Sequence, residues 1–262
     1  MSDFLLDEAT AMTVSSNASC STPTSNWLLA FSMAKFLPIT MVALACLAIV
    51  PLPNAGHDSV LAQVVESIGL GISLLGMVLR CMIIGHTPAG TSGRNSERQV
   101  AVSLNTTGIY SVVRHPLYLA NFLIGLGLAV FTLNPWFIVT YVLTFWLYYE
   151  RIMMAEEQFL LESFGEQFNQ WAARTPAFIP SFKNYVPSAL PFSFRNVLRR
   201  EYNTVLQIVV VSFLLELVGD VMDTKKIQWS MPWIIFLITG LAIWFILRTL
   251  KRYTHVLEVP GR

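Results

Sequence analysis

Arg114, His115 and Pro116 head the run SVVRHPLYLANFLIGLGLA (111–129), which turns almost wholly apolar behind them. Pro116 suits the first turn of a helix, where its missing N–H costs nothing. Arg114 and His115 then sit at the helix mouth, where free N–H groups and the helix dipole attract negative charge. Arg114 adds a positive fork matched to a carboxylate or a phosphate. Further along, Gly125 and Gly127 let a ligand or another helix approach the backbone closely. The plainer reading is that Arg114 and His115 snorkel to an interface and that the glycines pack helices. A second polar group, Glu156-Glu157, lies in YYERIMMAEEQFLLESFGEQFNQWAARTPAFIP (148–180). A solvated helix face is the ordinary meaning of such a charge run. Phe159, Leu160, Leu161, Phe164, Phe168 and Trp171, however, recur at helical spacing and give this stretch an apolar side that should press on membrane or protein.

The elements that must position these residues are membrane helices. Of 262 residues, 54% are hydrophobic and only 13% charged, where a soluble domain carries about 25% charged. The expected class is all-α and polytopic, with about six transmembrane helices and cytoplasmic helical segments that form the site. Apolar stretches long enough to span a bilayer fall at roughly 28–50, 61–84, 116–133, 136–154, 204–222 and 231–250. Lys35 and Pro38 interrupt the first. Leu133-Asn134-Pro135 alone separates the third from the fourth, so these two form a tight hairpin. The hairpin returns Glu156-Glu157 to the side of Arg114-His115. An anion site facing a carboxylate pair suits a zwitterion that carries both a carboxylate and an ammonium.

Basic residues set the orientation. The loop 51–60 and the Leu133-Asn134-Pro135 turn have none, and the loop near 223–230 has Lys225 and Lys226. With Lys35 set aside, the other 14 of the 17 Lys and Arg collect on the opposite, cytoplasmic side. Two long cytoplasmic segments, 86–115 and 155–203, should therefore build the site. The expected organisation is a flexible acidic Ser/Thr-rich leader (1–25), a membrane core (26–203) with its motifs at 105–180, and a C-terminal transmembrane hairpin with a basic tail (204–262). A formal net charge of +1 implies no nucleic-acid partner. Cys20, Cys46 and Cys81 lie too far apart in sequence for a disulfide framework, and no metal site is expected.

At these residues the chain resembles the integral-membrane methyltransferases of the isoprenylcysteine carboxyl methyltransferase and phospholipid methyltransferase superfamily. The resemblance rests on Arg114-His115-Pro116-Leu117-Tyr118, Gly125-Leu126-Gly127, Glu156-Glu157, and Phe164-Gly165 with the closing Pro176-Ala177-Phe178-Ile179-Pro180. It implies S-adenosyl-L-methionine as cofactor, with Arg114, His115, Tyr118, Gly125, Gly127, Glu156 and Glu157 as its contacts. Ala120 stands where that family often has Gly, and Ala177 where it usually has a basic residue, a charge that Arg174 could replace. The spans over 204–250 have no counterpart in the smallest members. A finer resemblance, carried by Gly90-Thr91-Ser92-Gly93-Arg94-Asn95 and Leu104-Asn105-Thr106-Thr107-Gly108-Ile109-Tyr110, is to bacterial enzymes that methylate a lipid A phosphate. It implies a multi-pass protein of the bacterial inner membrane with its site facing the cytoplasm.

Methyl transfer from a sulfonium asks chiefly for alignment and exclusion of water. A carboxylate or phosphate acceptor needs no general base, whereas an amine does. His86, at the cytoplasmic end of the second span, is the one candidate base, and an interfacial histidine is its plainer reading. Arg94, Arg98, Arg199 and Arg200 are candidate contacts to an anionic lipid, although each could be an ordinary positive-inside anchor. Other acceptors are an isoprenylcysteine carboxylate or phosphatidylethanolamine. Lys35, Glu66 and Glu216 fall inside spans and Asp220 near an end, with Lys35 pairing Glu66 or Glu216. Such charges would also suit a transporter, but no inverted repeat is visible. An NADPH-dependent sterol-type reductase shares an Arg-His-Pro-x-Tyr element, and Glu156-Glu157 would be poor neighbours for its cofactor's phosphates.

Overall fold

The computed structural model describes residues 41, 43–45, 60–88, 103–227 and 229–262. Among them are six α-helices and no strand: α1 (Val60–His86), α2 (Pro116–Phe131), α3 (Pro135–Phe164), α4 (Glu166–Ala172), α5 (Phe194–Thr224) and α6 (Met231–Tyr253). Two 3-10 turns, Gly108–Ser111 and Phe182–Asn184, lie between them. The described residues are all-helical, with helices long and apolar enough to cross a membrane.

The count of six spans is not confirmed. Three described helices are long and apolar enough to cross a membrane, namely Val60–His86, Phe194–Met222 and Met231–Tyr253. The apolar helix α2 has only 16 residues, about 24 Å of rise against a hydrocarbon core of about 30 Å. The helix α3 carries Glu150 and Arg151 within its first twenty residues. The expected first span lies mostly outside the described residues, as does Lys35 with its expected pairing. Glu66, Glu216 and Asp220 converge, with Trp229 and Trp233, on a cavity of about 750 Å³ at the end of the bundle away from Arg114.

The α2–α3 hairpin forms where the sequence places it. Leu133 adopts φ 56°, and the Asn134 side chain caps α3 by accepting from the N–H groups of Trp136 and Phe137 at 3.0 and 3.2 Å. Pro135 follows at a position that needs no N–H.

Helices α1 and α2 meet through small residues. Gly69, Ser73 and Gly76 of α1 face Ala120, Ile124 and Gly127 of α2. The Ser73 hydroxyl donates to the Ile124 carbonyl at 2.8 Å, and Ala120 is fully buried. A side chain larger than Ala at 120 would force the two backbones apart.

Helix α5 packs on α1 through polar groups. Arg80 makes a bidentate pair with Glu201 at 2.8 and 2.9 Å, and the Asn196 amide donates to the Ile84 carbonyl at 2.8 Å. Arg80, Glu201 and Asn196 are buried, at 8%, 3% and 1% exposure. Helix α6 rests on α5 at Gly240, against Val209, and the Trp244 indole donates to Asn203 at 2.9 Å. The outward residues Ile235, Ile238, Phe245 and Ile246 are exposed, as a lipid-facing surface would be. Its last turn ends in Lys251 and Arg252, with Lys251 over the Tyr202 ring.

Candidate active site

The segment before α2 is held by the segment after α4. The N–H groups of Arg114 and His115 donate to the carbonyls of Pro176 and Ala177 at 2.9 and 3.2 Å, and Ser181 N–H donates to Val112 at 3.0 Å. The closing Pro176–Pro180 stretch is thus a backbone clamp on the Arg-His pair. The Trp171 indole donates to the Tyr110 carbonyl at 3.0 Å, and Trp171 and Phe168 are buried, which accounts for the apolar side of this stretch. Gly165 lets the chain turn between α3 and α4. It has φ 52° and ψ −123° with open space around it, so backbone freedom and not room is what selects glycine.

The clamp brings Arg114 and His115 directly onto Glu156 and Glu157. His115 Nε2 lies 2.8 Å from Glu157 Oε1, and Nδ1 lies 3.6 Å from Glu156 Oε2. Arg114 Nε is 3.0 Å from Glu157 Oε1, while its Nη1 donates to the Ala172 carbonyl at 3.1 Å. Anion site and carboxylates form one ion-paired cluster and do not stand apart across a gap.

Electrostatics follow from this contact. Burial disfavours the charged His115 ring, but hydrogen bonds to Glu156 and Glu157 outweigh it and hold the imidazolium above its ordinary value. Burial pushes Glu157 up, but the His115 hydrogen bond and the Arg114 charge outweigh it and hold this carboxyl below the usual range. Only a doubly protonated imidazole donates toward both carboxylates. Two cations and two anions then balance.

The cluster leaves groups for a ligand. The buried Arg114 Nε–H faces Glu157 closely but has no aligned acceptor. The Glu156 side chain is 39% exposed and lies 3.6 Å from His115 Nδ1. A guanidinium beside an accessible carboxylate at a helix mouth fits a molecule that carries both a carboxylate and an ammonium.

Tyr118 belongs to the same cluster. Its ring stacks on His115 at 5.6 Å, packs on Tyr149 at 5.1 Å, and its hydroxyl donates toward Glu156. Gly125 and Gly127 do not border this space. A Cβ on Gly125 would meet the Tyr141 hydroxyl at 2.2 Å, and one on Gly127 would meet the Gly69 carbonyl at 2.2 Å. Both glycines admit a close approach of protein in this structure.

The other expected site residues divide. Arg94 and Arg98 lie outside the described residues. Arg174 is exposed and donates to Gln170 in its own turn, away from the cluster. His86 Nδ1 donates to the Met82 carbonyl, 2.8 Å away in its own helix, and the ring sits edge-on to Phe192. It lines a cavity of about 50 Å³ with Asn105, Thr107, Tyr110 and Ser188. Arg199 and Arg200 are half-buried at the start of α5. Burial and then Glu156 raise the Tyr110 phenol, while Arg200 and Arg80 pull it back, which puts Arg200 within electrostatic reach of the cluster. Arg80, Asn121, Tyr149 and Glu201 border the site without having been singled out for it. The one available signal was a charge at membrane depth.

Residues 65–167 match the family described as phospholipid methyltransferase. This segment is therefore similar to the phospholipid methyltransferases. The match begins within α1 and includes Arg80. The chain is 31% identical over 126 residues to a protein-S-isoprenylcysteine O-methyltransferase of Tribolium castaneum, covering 46% of this chain and 43% of that protein. It is 32% identical over 123 residues to the protein of the same name from Xenopus laevis, covering 44% and 41%. It is 41% identical over 83 residues to the cobalt-zinc-cadmium resistance protein CzcN of Cupriavidus metallidurans, covering 32% and 38%. The chain thus spans about two fifths of the length of these relatives. No solved structure matches.

Proposed function

We propose that the chain is an integral-membrane methyltransferase that uses S-adenosyl-L-methionine and acts on a lipid head group at the cytoplasmic face. The observation that carries this is the paired cluster of Arg114, His115, Glu156 and Glu157 at the mouth of α2, inside the methyltransferase segment. Arg114 and the α2 mouth would hold the cofactor's carboxylate, and Glu156 its ammonium. The cofactor supplies a methyl group on a sulfonium. Tyr118 and the Pro176–Pro180 clamp close the site against water. No side chain need form a covalent bond to the methyl group, so alignment is the main task.

For the acceptor, the reading is an anionic lipid phosphate of the lipid A kind. Its support is Arg200, which lies near enough to Tyr110 to oppose the field of Glu156, with Arg199 beside it. An oxyanion needs no base, in keeping with a His86 ring that bonds its own helix. A second reading, an isoprenylcysteine carboxylate, draws support from the printed names of the insect and frog relatives.

Purified protein in detergent should bind labelled S-adenosylmethionine and not NADPH. Glu157→Gln should weaken that binding roughly ten- to a hundredfold, the cost of one charged hydrogen bond. Tight NADPH binding with no S-adenosylmethionine binding would favour a reductase. Binding of neither would leave a transporter.

A further inference from the structure

The buried pair between Arg80 and Glu201 lies in the membrane bundle, with Arg80 six residues from the end of α1, about 9 Å below it. A charged pair at such depth is costly and needs a reason. Tying α5 to α1 is one. The neighbours of Arg80 give another. Its Nη1 donates to Asn121 Oδ1 on α2, one turn beyond Tyr118. The Asn121 side chain in turn lies within hydrogen-bonding reach of the Tyr149 hydroxyl on α3. The Tyr149 ring lies against Tyr118, and Tyr118 stacks on His115 and reaches Glu156. A continuous column of contacts thus runs from Glu201 to the Arg114–Glu157 cluster.

Each link is directional. Glu201 fixes both Nε and Nη2 of Arg80 and so aims the remaining nitrogen, Nη1, at Asn121. With its carbonyl oxygen held by Arg80, the Asn121 amide has one orientation, with its NH2 toward Tyr149. Tyr149 is clamped on its other side by Phe145, stacked at 4.0 Å, so it has one place to rest against Tyr118. Glu201 comes from α5, beyond the family segment that ends at residue 167.

We propose that Glu201 and Arg80 are positioning residues that, through Asn121 and Tyr149, fix the place of Tyr118 over His115, so that the C-terminal hairpin α5–α6 completes the cofactor-binding site. The proposal rests on the methyltransferase reading only for its second readout. Apolar replacement of a buried ion pair can preserve stability, and this separates positioning from mere anchoring.

The experiment places 3-fluorotyrosine at position 118 alone and compares the wild type, Arg80→Met/Glu201→Leu, and Asn121→Ala, which leaves the ion pair in place. Fluorine spectra and melting temperatures are recorded in detergent, followed by titration with S-adenosylmethionine. Expected is a shifted and broadened resonance in both variants at near wild-type melting temperature, with cofactor affinity down roughly tenfold, the scale of one misplaced hydrogen-bonding group. Unchanged spectra in folded variants overturn the proposal. So does a shift in the double variant that Asn121→Ala does not reproduce, because the effect then bypasses the column. If the double variant does not fold, Asn121→Ala alone decides. A wild-type chain that binds no S-adenosylmethionine refutes the function, while the fluorine comparison still decides the column.

Discussion

His115 Nε2 lies 2.8 Å from Glu157 Oε1, across a hairpin that separates them by 42 positions. This contact joins the mouth of α2 to the cytoplasmic end of α3, and its charge state depends on pH. Glu157 is held below its ordinary value, so its contribution to stability is complete above about 4.3 and is lost as pH falls through the lowered value. His115 is held above its ordinary value, so its contribution is complete below about 6.5 and is lost as pH rises through the raised value. Both contributions are present together between those limits. The melting-temperature gap between wild type and His115→Gln should therefore be widest near pH 5–6 and shrink toward pH 9. A gap that stays constant over that range would contradict the assignment of charge to His115.

Gly127 tests the packing role of the glycines. A Cβ there would meet the Gly69 carbonyl at 2.2 Å and Ser73 Oγ at 2.3 Å, whereas Gly71 has nothing within 4 Å. Gly127→Ala should cost about 1–3 kcal/mol by overpacking. Gly71→Ala should be neutral or gain up to about 1 kcal/mol of helix propensity. Melting of both variants without cofactor checks this. Equal stability, with only cofactor affinity changed in Gly127→Ala, would return Gly127 to the ligand groove.

Much of the site was legible because local chemistry decides it. Asn134-Pro135 after Leu133 is a helix stop and start, and once the hairpin exists Glu156-Glu157 must return toward Arg114-His115. The direct pairing of these four was not legible. It depends on the clamp from Pro176 and Ala177, whose backbone bonds carry no side-chain signature. The glycines were ambiguous because close approach reads alike for a ligand and for a helix. Arg80 and Glu201 are 121 positions apart, and no sequence period links them, so their bidentate pair emerged only from the packing of α5 on α1. Six spans are not confirmed among the described residues, because apolar length alone does not distinguish the short α2 from a full crossing and most of the first expected span lies outside them.

Orientation can be tested with single cysteines in a chain lacking Cys20, Cys46 and Cys81. Lys183 and Lys226 are both exposed and lie near opposite ends of the bundle. With the basic side cytoplasmic, cysteine at Lys226 should react with an impermeant maleimide in sealed cells, and cysteine at Lys183 only after the membrane is opened. The reverse pattern would invert the topology and place the Arg114–Glu157 cluster outside.

Methyl transfer to a lipid is measured directly by mass spectrometry of lipids after incubation with deuteromethyl-labelled S-adenosylmethionine. The purified chain in lipid nanodiscs is supplied with phosphate-bearing lipid A, phosphatidylethanolamine and a prenylcysteine analogue. One labelled methyl is expected on the phosphate-bearing acceptor, strongly reduced in Glu157→Gln, with Arg200→Gln raising KM for lipid while leaving cofactor affinity nearly intact. Label on the prenylcysteine carboxylate or the ethanolamine nitrogen alone would keep the enzyme class and overturn the acceptor. No label in any acceptor, from a chain that is folded and presented with its cofactor, would contradict the claim itself.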